Sequence, residues 1–158
     1  MISAVQLAAA LALVLLNGFF VAAEFSLARA RTTRLEQLAD SGRGAAVLAQ
    51  DQVRHIDRYL AACQLGITLA SLGLGWLGEP AFADLLRPFF EAIGLGEGSA
   101  ALTAVILAFA IITALHVIVG ELAPKTVAIQ RAEATALSIA RPLELFRKVF
   151  APFIHVLN

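Results

Sequence analysis

Three long apolar stretches separated by charged connectors organise the chain. Ile2–Ala23 runs for 22 residues without a formal charge, Tyr59–Gly78 for 20 and Gly98–Gly120 for 23. About 20 apolar residues in a helix cross a hydrocarbon core of about 30 Å. Each stretch therefore predicts one membrane-spanning helix, over about 2–25, 57–78 and 99–121. The first has no basic residues before it and is longer than the roughly 7–15-residue apolar core of a signal peptide, which favours a retained anchor.

The connectors carry their own patterns. Arg29–Asp40 has helical composition, Ser41-Gly42-Arg43-Gly44 signals a turn, and a second helical piece reaches about Arg58. After the second span, Glu79-Pro80 opens a short segment with apolar Phe82, Leu85, Leu86, Phe89, Phe90 and Ile93. Pro80 suits a first helical turn, whereas Pro88 predicts a kink or an end. Near the C-terminus Leu143, Phe146, Phe150, Phe153 and Leu157 recur at spacings of three and four, opposite Glu144, Arg147, Lys148 and His155. A fourth span there would bury charge at several kcal/mol. An amphipathic juxtamembrane helix over about 141–157, lying in the interface, avoids that cost. The competing reading is a soluble helix packed on a downstream domain. The whole is an all-α membrane protein: three transmembrane helices, short cytoplasmic helices and this juxtamembrane helix.

Composition agrees with that class. Residues are 59 % hydrophobic and 15 % charged, against about 25 % charged in soluble domains. Net charge is zero, so nothing points to a nucleic-acid partner. Of the 12 Lys and Arg residues, only Arg87 lies between the second and third spans; the rest flank the other span ends. The positive-inside rule then predicts the N-terminus outside and the C-terminus in the cytoplasm, across a bacterial inner membrane. Cys63, the single cysteine, lies within the second span and reads as a small packing residue.

The chemistry concentrates where the third span ends, in Leu115–Gln130, "LHVIVGELAPKTVAIQ". In a helix, residue 124 would donate its N–H to the carbonyl of residue 120, and proline has none. Pro124 is therefore expected to open the helix and free the Gly120 carbonyl beside the Glu121 carboxylate. Hard cations take oxygen ligands of this kind, and transporters hold coupling cations at unwound carbonyls. Alternatively, Glu121 and Lys125, four apart in the favourable order, form a boundary ion pair and nothing more. On the second span Ala62, Gly66, Ala70 and Gly73 form a small-residue stripe for close helix approach. Thr68 and Ser71 are either inward-facing ligands or hydroxyls bonded one turn back. Glu24 pairs with Arg29 or Arg31, or faces inward to Lys125. Asn17 is a polar group deeper in the first span, and intramembrane polar groups raise a functional hypothesis. His116 reads as a packed, hydrogen-bonded histidine. The chain lacks Gly-x-Ser-x-Gly, HExxH and paired intramembrane aspartates, so it is not read as an enzyme.

These residues resemble the transmembrane domain of the CorC/CNNM family of magnesium and cobalt resistance proteins. "GELAPK" at 120–125 is similar to the family's Gly-Glu-x-x-Pro-Lys signature, and "LNGFFVAAE" at 16–24 to its first helix. "CQLGITLASLGLGWLGEP" at 63–80 resembles the second span of a hemolysin-like bacterial branch. The resemblance implies a homodimer in the lipid bilayer that exports a divalent cation, Mg²⁺, coupled to Na⁺ influx, with Glu121 at the cation site. It also implies a regulatory CBS pair and a small C-terminal domain beyond residue 158, so this chain is expected to be a piece of a longer protein. The sequence departs from the family at Val21, where a serine is usual, and at residues 66–71, which lack an asparagine-rich patch. Those departures raise two alternatives: export of another cation such as a polyamine, or a dimeric membrane anchor or sensor for the CBS domains.

Overall fold

A computed structural model describes residues 4–157, with side chains as far as Ile154; residues 2 and 3 of the first predicted span, and the side chains of His155 and Leu157, lie outside the described set. The helices are α1 (Ala4–Arg29), α2 (Thr32–Asp40), α3 (Gly44–Arg54), α4 (Ile56–Ala92), α5 (Glu97–Leu115), α6 (Ala123–Gln130), α7 (Ala132–Val149) and α8 (Ala151–Leu157). A π-helical turn, His116–Leu122, joins α5 to α6 without a break. No strand occurs among the described residues. Three helices are long and apolar enough to cross a membrane: α1, α4 and the continuous α5–π–α6 rod, Glu97–Gln130.

The predicted connector between the first two spans takes the form expected. Gly42 adopts φ +86°, a left-handed conformation open to glycine, and turns the chain from α2 into α3. The connector after the second span differs from expectation. Neither Pro80 nor Pro88 breaks the helix; α4 runs through both for 37 residues. Each proline forfeits one backbone bond, and the flanking bonds keep the helix continuous. Gly94, at φ +92°, makes the actual turn.

Small residues set the distance between spans, since lipid supplies no hydrophobic drive for helix association. On α4 the predicted stripe is inward: Ala62, Gly66 and Ala70 are buried, and Gly66 receives the face of Phe20 from α1. Alpha-5 adds a stripe of its own, Ala100, Ala104 and Ala108, continued by Ile112 at the same four-residue interval. Helix α4 packs on both α1 and α5, while α1 also meets the π turn, α6 and α7. Cys63 is fully buried in this packing.

The C-terminal amphipathic element is longer than predicted and is split in two. Alpha-7 starts at Ala132, nine residues before the predicted start at 141, and the chain breaks at Phe150 before α8. Its buried side is Ala136, Ile139, Ala140 and Leu143, packed with Phe20, Ala23 and Leu27 of α1. Leu145, Val149 and Phe153 are exposed. The predicted polar side is only part-exposed: Glu144 accepts hydrogen bonds from Tyr59 Oη at 2.7 Å and from Arg147 at 2.8 and 2.9 Å. A two-sided division of α7 misses this, because the helix meets the bundle along one apolar side and again through Tyr59.

Candidate functional site

Four polar groups from the three spans meet inside the bundle. Asn17 on α1, 2 % exposed, donates from Nδ2 to the Gly120 carbonyl at 2.9 Å. Its Oδ1 accepts the Ser71 hydroxyl of α4 at 3.2 Å. Ser71 has one proton, spent on Asn17, so the 3.4 Å contact between its Oγ and His116 Nε2 requires the imidazole to donate. The chain of bonds therefore runs His116 → Ser71 → Asn17 → Gly120. A polar group within apolar spans costs free energy unless it is paired, and here each is paired with another span.

Pro124 explains why the Gly120 oxygen takes a side-chain donor. As the sequence predicts, no N–H at position 124 competes for it. The expectation that the proline opens the helix is corrected: the π turn at His116–Leu122 absorbs the lost bond and the rod continues into α6. Such insertions of wider helix often occur at functional sites. The freed carbonyl is not bare, because Asn17 caps it.

Two glycines permit this contact. A Cβ on Gly120 would lie 3.1 Å from His116 Cδ2 and 3.4 Å from both Asn17 Nδ2 and the Val14 carbonyl. A Cβ on Gly18 would lie 2.9 Å from Pro124 Cγ and 3.2 Å from the Val119 carbonyl. Alpha-1 thus rests directly against the proline and the π turn.

The remaining predicted residues are placed differently from one another. Thr68 is exposed and bonds back to the Gln64 carbonyl at 2.8 Å, so it does not join Ser71. Glu121 follows Gly120 but points to the exposed surface, with no hydrogen bond or ion pair among the described residues. The Glu121–Lys125 pair does not form; Lys125 Nζ lies 4.5 Å from the centre of the Phe25 ring. The ammonium stands over the aromatic face instead, a cation–π contact that competes with the ion pair. Glu24 is half-buried with Lys125 as its charged neighbour, while Arg31 binds Glu133 of α7 at 3.0 Å. Val21 is buried. Among the described residues no three His, Cys, Asp or Glu side chains converge.

His116 is the member that the sequence undervalued. Its hydrogen bond is the one expected of a packed histidine, but its partner belongs to the polar chain. Gly18 is a second residue that the sequence undervalues. The available signal was its position beside Asn17, a small residue next to a polar one in an otherwise apolar helix.

Comparison with known proteins gives the family. The family model of the Cyclin M transmembrane N-terminal domain, CNNM, matches residues 8–158. UPF0053 protein YhdT of Bacillus subtilis is 52 % identical over 146 residues, covering 92 % of this chain and 32 % of that protein. UPF0053 protein YugS of the same organism is 48 % identical over 153 residues, covering 97 % and 36 %. Uncharacterized protein Rv1841c of Mycobacterium tuberculosis is 41 % identical over 157 residues, covering 99 % and 44 %. The chain spans about a third of the length of the Bacillus relatives. With three membrane-spanning helices and a family match over almost its whole length, the chain belongs to the CNNM family of membrane proteins.

Proposed function

We propose that this domain moves a cation across the membrane, with the polar contact between Asn17, Ser71, His116 and Gly120 as the inner part of the pathway. The observation that carries the reading is the Gly120 carbonyl, freed by Pro124 and facing another span's side chain within the apolar bundle. A cation would take the place of the Asn17 amide protons at that oxygen. Glu121, one residue on, would supply the negative charge that a divalent ion needs. Its outward position suits a site completed when a second copy covers that face. The substrate is Mg²⁺ or another divalent cation, exported against Na⁺ influx. On this reading the N-terminus is outside and the C-terminus is cytoplasmic, as the charge pattern implies, and leads into regulatory CBS domains.

A second reading draws on the neutrality of the polar chain. An amide, a hydroxyl, an imidazole and a carbonyl offer no formal negative charge where the three spans meet. Such a site suits a cation of low charge density, including an organic one such as a polyamine, better than a dehydrated Mg²⁺.

Calorimetric titration of the detergent-solubilised protein with Mg²⁺, Ca²⁺, Na⁺ and a diamine tests both. The transport reading expects saturable binding of at least one cation, lost in Glu121→Ala for a divalent ion. Diamine binding that survives Glu121→Ala but not Asn17→Ala favours the second reading. Binding of none, with a stable dimer, overturns both in favour of a membrane anchor.

A further inference from the structure

The outer side of α7 forms an apolar groove against α1, of about 400 Å³ and open along its length. Leu16 and Phe20 form one wall; Leu145, Phe146, Val149 and Phe150 form the other. The groove has a direction. Ala140 and Leu143 pack in the same cluster as Ala23 and Leu27, towards the charged end of α1. Further along, Phe146 meets the Phe20 ring with centroids 4.6 Å apart, and the groove reaches Leu16, deeper in the uncharged stretch. Alpha-7 therefore runs antiparallel to α1, from the charged end of that helix towards Leu16.

A cation stands at the head of the groove. Arg141 immediately precedes the lining residue Pro142, is exposed, and has no hydrogen bond or ion pair among the described residues. At 100° per residue, Arg141, Leu145 and Lys148 share the side of the helix away from the buried one, with Lys148 two turns beyond Arg141. Lys148 is already engaged with Glu144 at 3.4 Å; Arg141 is not. An unpaired guanidinium near the charged end of α1, one helical turn before the lining residue Leu145, matches the division of a phospholipid into an anionic head and a hydrocarbon tail. Guanidinium groups bind phosphate oxygens with two parallel hydrogen bonds.

We propose that this groove is a binding site for an anionic phospholipid, with one acyl chain between α1 and α7 and the phosphate at Arg141. The site rests on the membrane position of α1 and is independent of what the domain transports. Bound lipid joins α7 to the first span, so α7 would sense the composition of the leaflet in which it lies.

The test is native mass spectrometry of the purified protein, released from micelles supplemented with equal amounts of phosphatidylglycerol and phosphatidylcholine. Wild type is expected to retain phosphatidylglycerol preferentially. Arg141→Gln should lower that preference about fivefold, the factor one basic residue contributes at an anionic surface. Val149→Trp obstructs the groove and should lower the retention of both lipids while leaving helicity by circular dichroism unchanged. Equal retention of the two lipids by wild type, or an unchanged preference in Arg141→Gln, overturns the proposal. So does a wild type that retains no phospholipid and a Val149→Trp variant that loses its dimer, since a second copy would then occupy the groove.

Discussion

Replacing Gly18 by alanine tests whether the contact of α1 with Pro124 holds the bundle together. The new methyl carbon would sit 2.9 Å from Pro124 Cγ and 3.2 Å from the Val119 carbonyl oxygen. Neither neighbour can rotate aside, because one belongs to a ring fused to the backbone and the other is backbone. Alpha-1 must move away from the rod by several tenths of an ångström. Overpacking of this kind costs about 1–3 kcal/mol. The same movement stretches the 2.9 Å bond from Asn17 to Gly120, and an interhelical bond in a membrane is worth about 0.6 kcal/mol on average and up to about 1.7. Because the bond is stretched rather than broken, only part of its worth is lost and the sum is roughly 1.5–4 kcal/mol. Gly75→Ala provides the control, since a Cβ there meets nothing within 4 Å. Both substitutions raise helix propensity by up to about 1 kcal/mol, so that gain cancels in the comparison. Thermal unfolding in detergent, followed by circular dichroism, should place Gly18→Ala roughly 4–12 °C below Gly75→Ala. Equal midpoints would mean that the spans are more loosely packed at Pro124 than the structure has them.

Further expectations follow from other contacts. Asn17→Ala strands both the Gly120 carbonyl and the Ser71 hydroxyl, so it should destabilise more than Ser71→Ala, by about 1 kcal/mol or more, in the same unfolding assay. The Glu144 carboxyl is held down at about 2 by hydrogen bonds from Arg147, with Tyr59 adding to them against the opposing effect of burial. A carboxyl depressed in the folded state contributes stability that is present above its ordinary value near 4.5 and is lost as pH falls through about 2. Acid titration monitored by Tyr59 fluorescence should show α7 loosening across that window, and Glu144→Gln should flatten the dependence. Cys63 is completely buried, so a maleimide should label it only at the rate of unfolding; rapid labelling of the native protein would show that α4 does not pack on α1 as described.

The three spans, the turn at Ser41–Gly44 and the small-residue stripe of α4 were legible in the sequence, because each follows from local quantities. An uncharged run of about 20 residues has one low-energy place in a bilayer, and glycine at a turn follows from backbone sterics. The sequence also foretold that Pro124 would free the Gly120 carbonyl, since the loss of an N–H is a covalent fact. What receives that carbonyl was not legible. Asn17 lies 103 positions away, and which side of α1 faces the third span depends on how Gly18 nests against Pro124. The same tertiary choice brought Ser71 and His116 into the polar chain and left Thr68 and Glu121 outside it. Residues next to one another in sequence point in different directions around a helix, so Gly120 and Glu121 could share a motif without sharing a surface. Pro88 in α4 shows the limit from the other side: a local rule predicted a kink or an end there, and a helix carried through by its remaining bonds did not need one.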